Sequence, residues 1–272
     1  MDTRPVGVFD SGVGGLTVLH ECLVTMPNED FVYLGDHARL PYGPRPLDEV
    51  RMFAREIGAY LETQDVKLIV VACNTATSAA LPQLQELLTV PVVGVLTPEA
   101  HAAVQATRNR RIGLLATELT VASGRYESLV RTLDAGARFT AVPCPKLVPL
   151  IESGDTFSDE VVGAVREYAA PLKEAGCDTV ILGCTHYPLL RPVFQRAFGR
   201  DVTLVFSADE TAREVSETLA RKGFDNDSER EGSYRFLTTG DPALFRSLGE
   251  RFLQLPLGEV EQVSVAELER AA

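Results

Sequence analysis

Short apolar runs alternate with amphipathic stretches along the whole chain. After Lys67, the five apolar residues Leu68-Ile69-Val70-Val71-Ala72 are mostly β-branched and lead straight into Cys73, with a polar pair, Asn74 and Thr75, behind it. Such a run predicts a strand buried on both faces, as in parallel sheets, and the segment Thr77 to Leu88 predicts a helix. Cys73 then stands at the C-terminal end of the strand, where open α/β sheets place their ligands. The pattern returns at Thr179-Val180-Ile181-Leu182-Gly183, which ends at Cys184, followed by Thr185, His186 and a helix beginning near Pro188. Two thiols at two strand tips suggest one shared site, in which one thiol removes a proton and the other supplies one.

The remaining pattern fits the same scheme. Val6 to Phe9, Phe31 to Leu34, Val90 to Val95, Ile112 to Thr117, Phe139 to Val142, Val202 to Phe206 and Tyr234 to Thr238 read as strands. Leu16 to Met26, Leu47 to Glu62, Glu160 to Ala175, Asp209 to Arg221 and Pro242 to Leu253 read as helices, and Thr97-Pro98-Glu99 opens another, with Pro in the first turn. Val260 to Val265 is expected to pair at a sheet edge. Gly7 to Cys73 and Gly113 to Cys184 each run strand, helix, strand, helix, strand, cysteine, a weak structural repeat. We therefore expect an α/β protein of two similar three-layer domains with mainly parallel sheets, related by pseudo-symmetry. The C-terminal elements need a sheet to pack on, which makes the first domain discontinuous: residues 1–97 plus 208–272, carrying Asp10 and Cys73, against 98–207, carrying Cys184 and His186.

Composition narrows the function. The 272 residues are 45% hydrophobic and 24% charged, with a net charge of −12. That balance suits a globular protein and argues against non-specific nucleic-acid binding, which needs clustered Lys and Arg. No run of about 18 apolar residues predicts a membrane span. A strand begins almost at once, without a basic leader, so a cytoplasmic location with reduced thiols is expected. The five cysteines, Cys22, Cys73, Cys144, Cys177 and Cys184, form no short CxxC pair.

Asp10-Ser11-Gly12-Val13-Gly14-Gly15 follows the first strand, and backbone N–H groups there can cradle an anion, although the spacing fits neither a dinucleotide nor a P-loop motif. Leu40-Pro41-Tyr42-Gly43-Pro44-Arg45-Pro46 is a loop whose prolines preset its shape. Cys22 and Cys177 read as packing residues, while Cys144, between two prolines, stays open. An unperturbed thiol titrates at roughly 8.5, so a thiol base at neutral pH needs help, from helix N-termini and from Asp10 or His186 as proton acceptors or relays. Cys184 and His186 also fit a nucleophile–base pair; one Cys-x-His pair supplies too few ligands for a metal. His20, His37 and His101 have no comparable context.

With these motifs the chain resembles the glutamate racemases of the cofactor-independent aspartate/glutamate racemase family. The carrying stretches are Gly7 to Val18, Leu40-Pro41-Tyr42-Gly43, Ala72-Cys73-Asn74-Thr75-Ala76 and Gly183-Cys184-Thr185-His186-Tyr187-Pro188. Weaker ones are Leu114 to Thr117, Val148 to Glu152 and Thr238 to Asp241. The resemblance implies two α/β domains with the site between them and one catalytic cysteine from each. The Cys73 thiolate would take the α-proton of D-glutamate and Cys184 that of L-glutamate. Asp10, Ser11, Pro41, Tyr42, Gly43, Asn74, Thr75, Thr117, Thr185 and His186 would bind substrate, with Asp36 and Glu152 in support. It also implies no cofactor, a homodimer, and D-glutamate supply for peptidoglycan. Phe206 departs from the family, which commonly has Asp there. The rivals are a racemase for aspartate or a related amino acid, a Cys184–His186 hydrolase, and an amino-acid binding protein.

Overall fold

The computed structural model describes residues 2–272. The first half runs β1 (Val6–Asp10), α1 (Leu16–Thr25), β2 (Phe31–Gly35), α2 (Leu47–Glu62), β3 (Leu68–Val71), α3 (Asn74–Leu87), β4 (Val92–Gly94) and α4 (Leu96–Ala106). The second continues β5 (Arg111–Ala116), α5 (Glu118–Ala122), α6 (Arg125–Leu133), β6 (Arg138–Pro143), α7 (Leu147–Glu152), α8 (Asp159–Glu174), β7 (Thr179–Gly183), α9 (Arg191–Phe198) and β8 (Thr203–Val205). The chain closes with α10 (Ser207–Lys222), β9 (Tyr234–Thr238), α11 (Pro242–Leu253), β10 (Val260–Gln262) and α12 (Val265–Ala271).

The strands form two sheets, one of six strands in the order β10-β9-β2-β1-β3-β4 and one of four in the order β6-β5-β7-β8. Every pairing is parallel. The unbroken apolar runs have a direct cause, because both faces of each strand are covered. Along β3, Leu68 and Val70 enter the core under α1, while Ile69 and Val71 enter the core under α2 and α3. The core on the α1 side continues into the second half, from Val8 through Ala100 to Ile181.

Register sets the site. Asp10 pairs with Gly35 and Phe9 with Val71, so Asp10, Asp36 and Cys73 leave the first sheet at one edge. Ala116 pairs with Gly183, which puts Thr117 beside Cys184 at the edge of the second sheet.

Several boundaries differ from those read in the sequence. The helix expected from Thr77 begins at Asn74, because Cys73 itself caps it. After Cys184 the chain first makes a 3₁₀ turn, Tyr187–Leu190, before α9. The divisions expected at 97/98 and 207/208 fall in the first turns of α4 and α10. α4 packs on β7, α6 and α10, and α10 packs on α1. α5, α6 and α12 carried no individual sequence assignment. Phe206 precedes α10 without a side-chain cap and lies under the Arg191 guanidinium, 5.0 Å from the ring centre. No helix among the described residues is long and apolar enough to cross a membrane.

Candidate active site

Cys73 follows β3 and is the N-cap of α3, its sulfur accepting the Ala76 N–H at 3.4 Å. A helix N-terminus favours negative charge at that sulfur. Burial nevertheless pushes the Cys73 thiol far up, and the Asp10 carboxylate pushes the same way; the Ala76 N–H and Ser11 oppose them. Ser11 Oγ lies 3.8 Å from the sulfur. Asp10 is fully buried, and its Oδ2 accepts the N–H groups of Gly12 at 3.1 Å and Gly15 at 3.0 Å. Its Oδ1 has no partner. The glycine-rich turn thus orients this carboxylate, leaving one oxygen uncommitted.

Cys184 follows β7. His186 Nδ1 is 3.8 Å from its sulfur, and His186 Nε2 is 3.0 Å from Glu152 Oε1 on α7. The imidazole is buried and packs T-shaped with Phe252, 5.2 Å between ring centres. Burial disfavours the imidazolium, but hydrogen bonding to Cys184 and Glu152 outweighs it and raises His186 to about 10. Both partners therefore favour the charged form of the ring beside Cys184.

Both sulfurs open on one cavity of about 250 Å³. Ser11, Cys73, Asn74 and Thr75 line it from the first sheet, and Thr117, Cys184, Thr185 and His186 from the second. Pro41, Tyr42 and Gly43 close one side. No Lys or Arg lines it. Asp10, Asp36 and Glu152 stand behind the lining residues. Asp36 accepts hydrogen bonds from Tyr42 Oη, from Thr239 Oγ1 at 2.8 Å and from Arg39 Nε at 2.6 Å, and so anchors the Tyr42-Gly43 loop. Arg39 also pairs with Glu56 and stacks over Phe53. The Leu40–Pro41 bond of this loop is cis.

Several contacts tie the halves together around the cavity. Thr75 Oγ1 and Thr117 Oγ1 are 2.9 Å apart, with Thr120 Oγ1 2.9 Å from Thr117. The Leu119 N–H donates to the Gly43 carbonyl at 3.1 Å. Gly14 lies against the opposite tip: a Cβ there would meet Thr185 Oγ1 at 2.4 Å and His186 Nδ1 at 2.5 Å, so only glycine fits without a shift.

Sequence reasoning missed Thr120, Arg39 and Glu56, which act from behind the lining and belong to no strand-tip motif. It also missed Glu118, Val148 and Pro149, which line the cavity. Cys144, left open, lines it too, its thiol 3.5 Å from the Val142 carbonyl. Cys22 and Cys177 are buried and do not line it. Among the described residues no group of three or more His, Cys, Asp or Glu is placed to hold a metal ion.

Known proteins resemble this chain in sequence and fold. The family model described as Asp/Glu/Hydantoin racemase matches residues 18–215. A protein of Carnobacterium sp. named glutamate racemase is 44% identical over 97% of this chain and 100% of its own. The crystal structure of glutamate racemase isoform RacE1 from Bacillus anthracis superposes with a TM-score of 0.93 at 40% identity, covering 97% of this chain and 99% of that one. Glutamate racemase from Francisella tularensis, crystallised with D-glutamate, gives 0.91 at 33% identity over 97% and 98%. A match to the family model across most of the chain, joined to near-complete coverage of these relatives, means that the chain belongs to the Asp/Glu/hydantoin racemase family.

Proposed function

We propose that this protein interconverts L- and D-glutamate by cofactor-independent proton transfer at Cα between two thiols. The observation that carries the reading is that Cys73 and Cys184, from separate sheets, open on one cavity. For L-glutamate, the Cys184 thiolate removes the α-proton and the Cys73 thiol delivers another to the opposite face; for D-glutamate the roles reverse. His186 and Glu152 serve the Cys184 side and Asp10 the Cys73 side as acid–base partners. The intermediate carries extra negative charge, and Thr75, Thr117 and Thr185 with nearby backbone N–H groups, that of Asn74 among them, are preorganised donors for it. The substrate ammonium falls to acidic groups. Glutamate is preferred to aspartate because near-full-length relatives bear the name glutamate racemase.

The same reading divides the chain into a discontinuous domain, 1–97 with 208–272, and a second, 98–207, with the cavity between them. It includes a cytoplasmic homodimer that supplies D-glutamate for peptidoglycan. Circular dichroism of purified protein with L-glutamate, without added cofactor, tests the activity: optical activity should decay to zero, and aspartate should lose its own far more slowly. Unchanged signal from glutamate overturns the reading, and faster decay with aspartate replaces the substrate.

A further inference from the structure

Beneath the cavity lies a buried polar cluster that the proton-transfer scheme does not use. Glu99, in the first turn of α4, is 0% exposed, Tyr126 on α6 is 1% and Asn74 is 2%. Asn74 Nδ2 donates to Glu99 Oε2 at 2.9 Å and to Tyr126 Oη at 2.8 Å, and Tyr126 Oη donates to the same Glu99 oxygen. The three groups close a ring. Each end touches a strand tip. Asn74 is the residue after Cys73. Tyr126 covers the residue before Cys184, since a Cβ on Gly183 would lie 3.2 Å from the Tyr126 ring and 3.3 Å from its hydroxyl.

A carboxyl group at full burial costs several kcal/mol if charged and unpaired, so an apolar side chain of similar volume would serve packing better. Burial pushes Glu99 well above the usual carboxylate range, against the hydrogen bonds from Tyr126 and Asn74. Glu99 Oε1 and Asn74 Oδ1 are both buried without partners, so the ring is held entirely through Oε2 and Nδ2. An oxygen acceptor at this point has a use beyond packing. It collects donors from both sides of the cavity and holds them on one oxygen.

We propose that Glu99 is a positioning residue of this active site, holding the Cys73 and Cys184 strand tips in fixed relation through Asn74 and Tyr126. The role rests on the two-thiol racemase reading. Proton transfer through a carbon between two sulfurs is sensitive to their separation, and a displacement of about 1 Å can cost about 10²-fold in rate. The acceptor oxygen matters here and the acid's charge does not, so glutamine is a conservative replacement.

The test compares wild type with Tyr126→Phe, Glu99→Ala and Glu99→Gln in glutamate racemisation, with protiated and α-deuterated substrate, and monitors folding by thermal melting. Tyr126→Phe and Glu99→Ala should lower kcat at least about tenfold with KM changed less than about threefold. Their primary isotope effect should rise, as proton abstraction becomes more rate-limiting. Glu99→Gln should stay within about threefold of wild type. If Glu99→Ala fails to fold, Tyr126→Phe and Glu99→Gln decide. The role is overturned if Tyr126→Phe keeps kcat within about twofold, if the isotope effect is unchanged, or if Glu99→Gln is as impaired as Tyr126→Phe. A wild type inert toward glutamate overturns the racemase reading itself, and this role with it.

Discussion

Cys73 and Cys184 occupy matching strand tips but unlike surroundings. Cys73 is beside a carboxylate and a hydroxyl, in a setting where burial favours the thiol. Cys184 is beside the His186 ring, which is held by Glu152. This asymmetry makes a pH prediction. His186 has its folded value raised from 6.5 to about 10, so its contribution to stability is complete below 6.5 and is lost as pH rises through about 10. If the imidazolium is needed at Cys184, kcat/KM should hold through neutral pH and fall on an alkaline limb near that upper value. Glu152→Gln removes one of the two groups raising it. We expect the limb to move to lower pH, read from the pH profile of kcat/KM; an unmoved limb would show that Glu152 does not sustain the imidazolium. At this scale the cysteines and His186 were legible because each cysteine stands at the end of an apolar run in sequence and His186 lies two residues beyond Cys184. Glu152 was legible only through family resemblance, since the fold brings it to His186 from another helix.

At the level of elements, the βα turns do the placing. Because only Ala72 separates β3 from the Cys73 cap of α3, Cys73 is held at once by the strand before it and the helix after it. The turn after β1 gives its amides to Asp10 and its Gly14 to the opposite half. Gly14→Ala would force Thr185 and His186 aside, since a Cβ there would stand 2.4 Å from Thr185 Oγ1. We expect a fall in kcat of about 10²-fold, by displacement of catalytic groups, with the melting temperature much less affected. Near-normal kcat would mean that this contact does not set the position of His186. The strands and their parallel packing were readable from apolar runs bounded by turn residues, whereas their order within each sheet was not. Helix starts were less so, because a cap such as Cys73 is not among the usual capping residues. The 3₁₀ turn after Cys184 has the same origin: Pro188 suits a first turn but does not specify which helix type begins.

Across the whole molecule, two sheets of different size present their C-terminal edges to one cavity, and the shared core beneath them runs without a break. The repeat in the sequence anticipated this opposition, but the cross-links that maintain it were hidden. Thr75 with Thr117, Leu119 with Gly43, and the ring of Asn74, Tyr126 and Glu99 each join residues far apart in the chain, and no local pattern marks such pairs. Val148 and Pro149 were visible only as part of a weaker family-matching stretch, and it is the fold that turns them to the cavity. For a homodimer, light scattering at micromolar concentration should give twice the mass of one 29.6 kDa chain; a single-chain mass would leave the site to act within one protomer.

The most direct test of two-thiol catalysis is the fate of the α-hydrogen when protiated L-glutamate is converted in D₂O and the reaction is stopped at low conversion. With one thiol on each face, the D-glutamate formed should carry deuterium at Cα, while the L-glutamate that remains keeps its protium. Protium retained in the product, or deuterium entering the L-glutamate pool as fast as the product, would instead point to one base serving both faces and would contradict the pairing of Cys73 with Cys184.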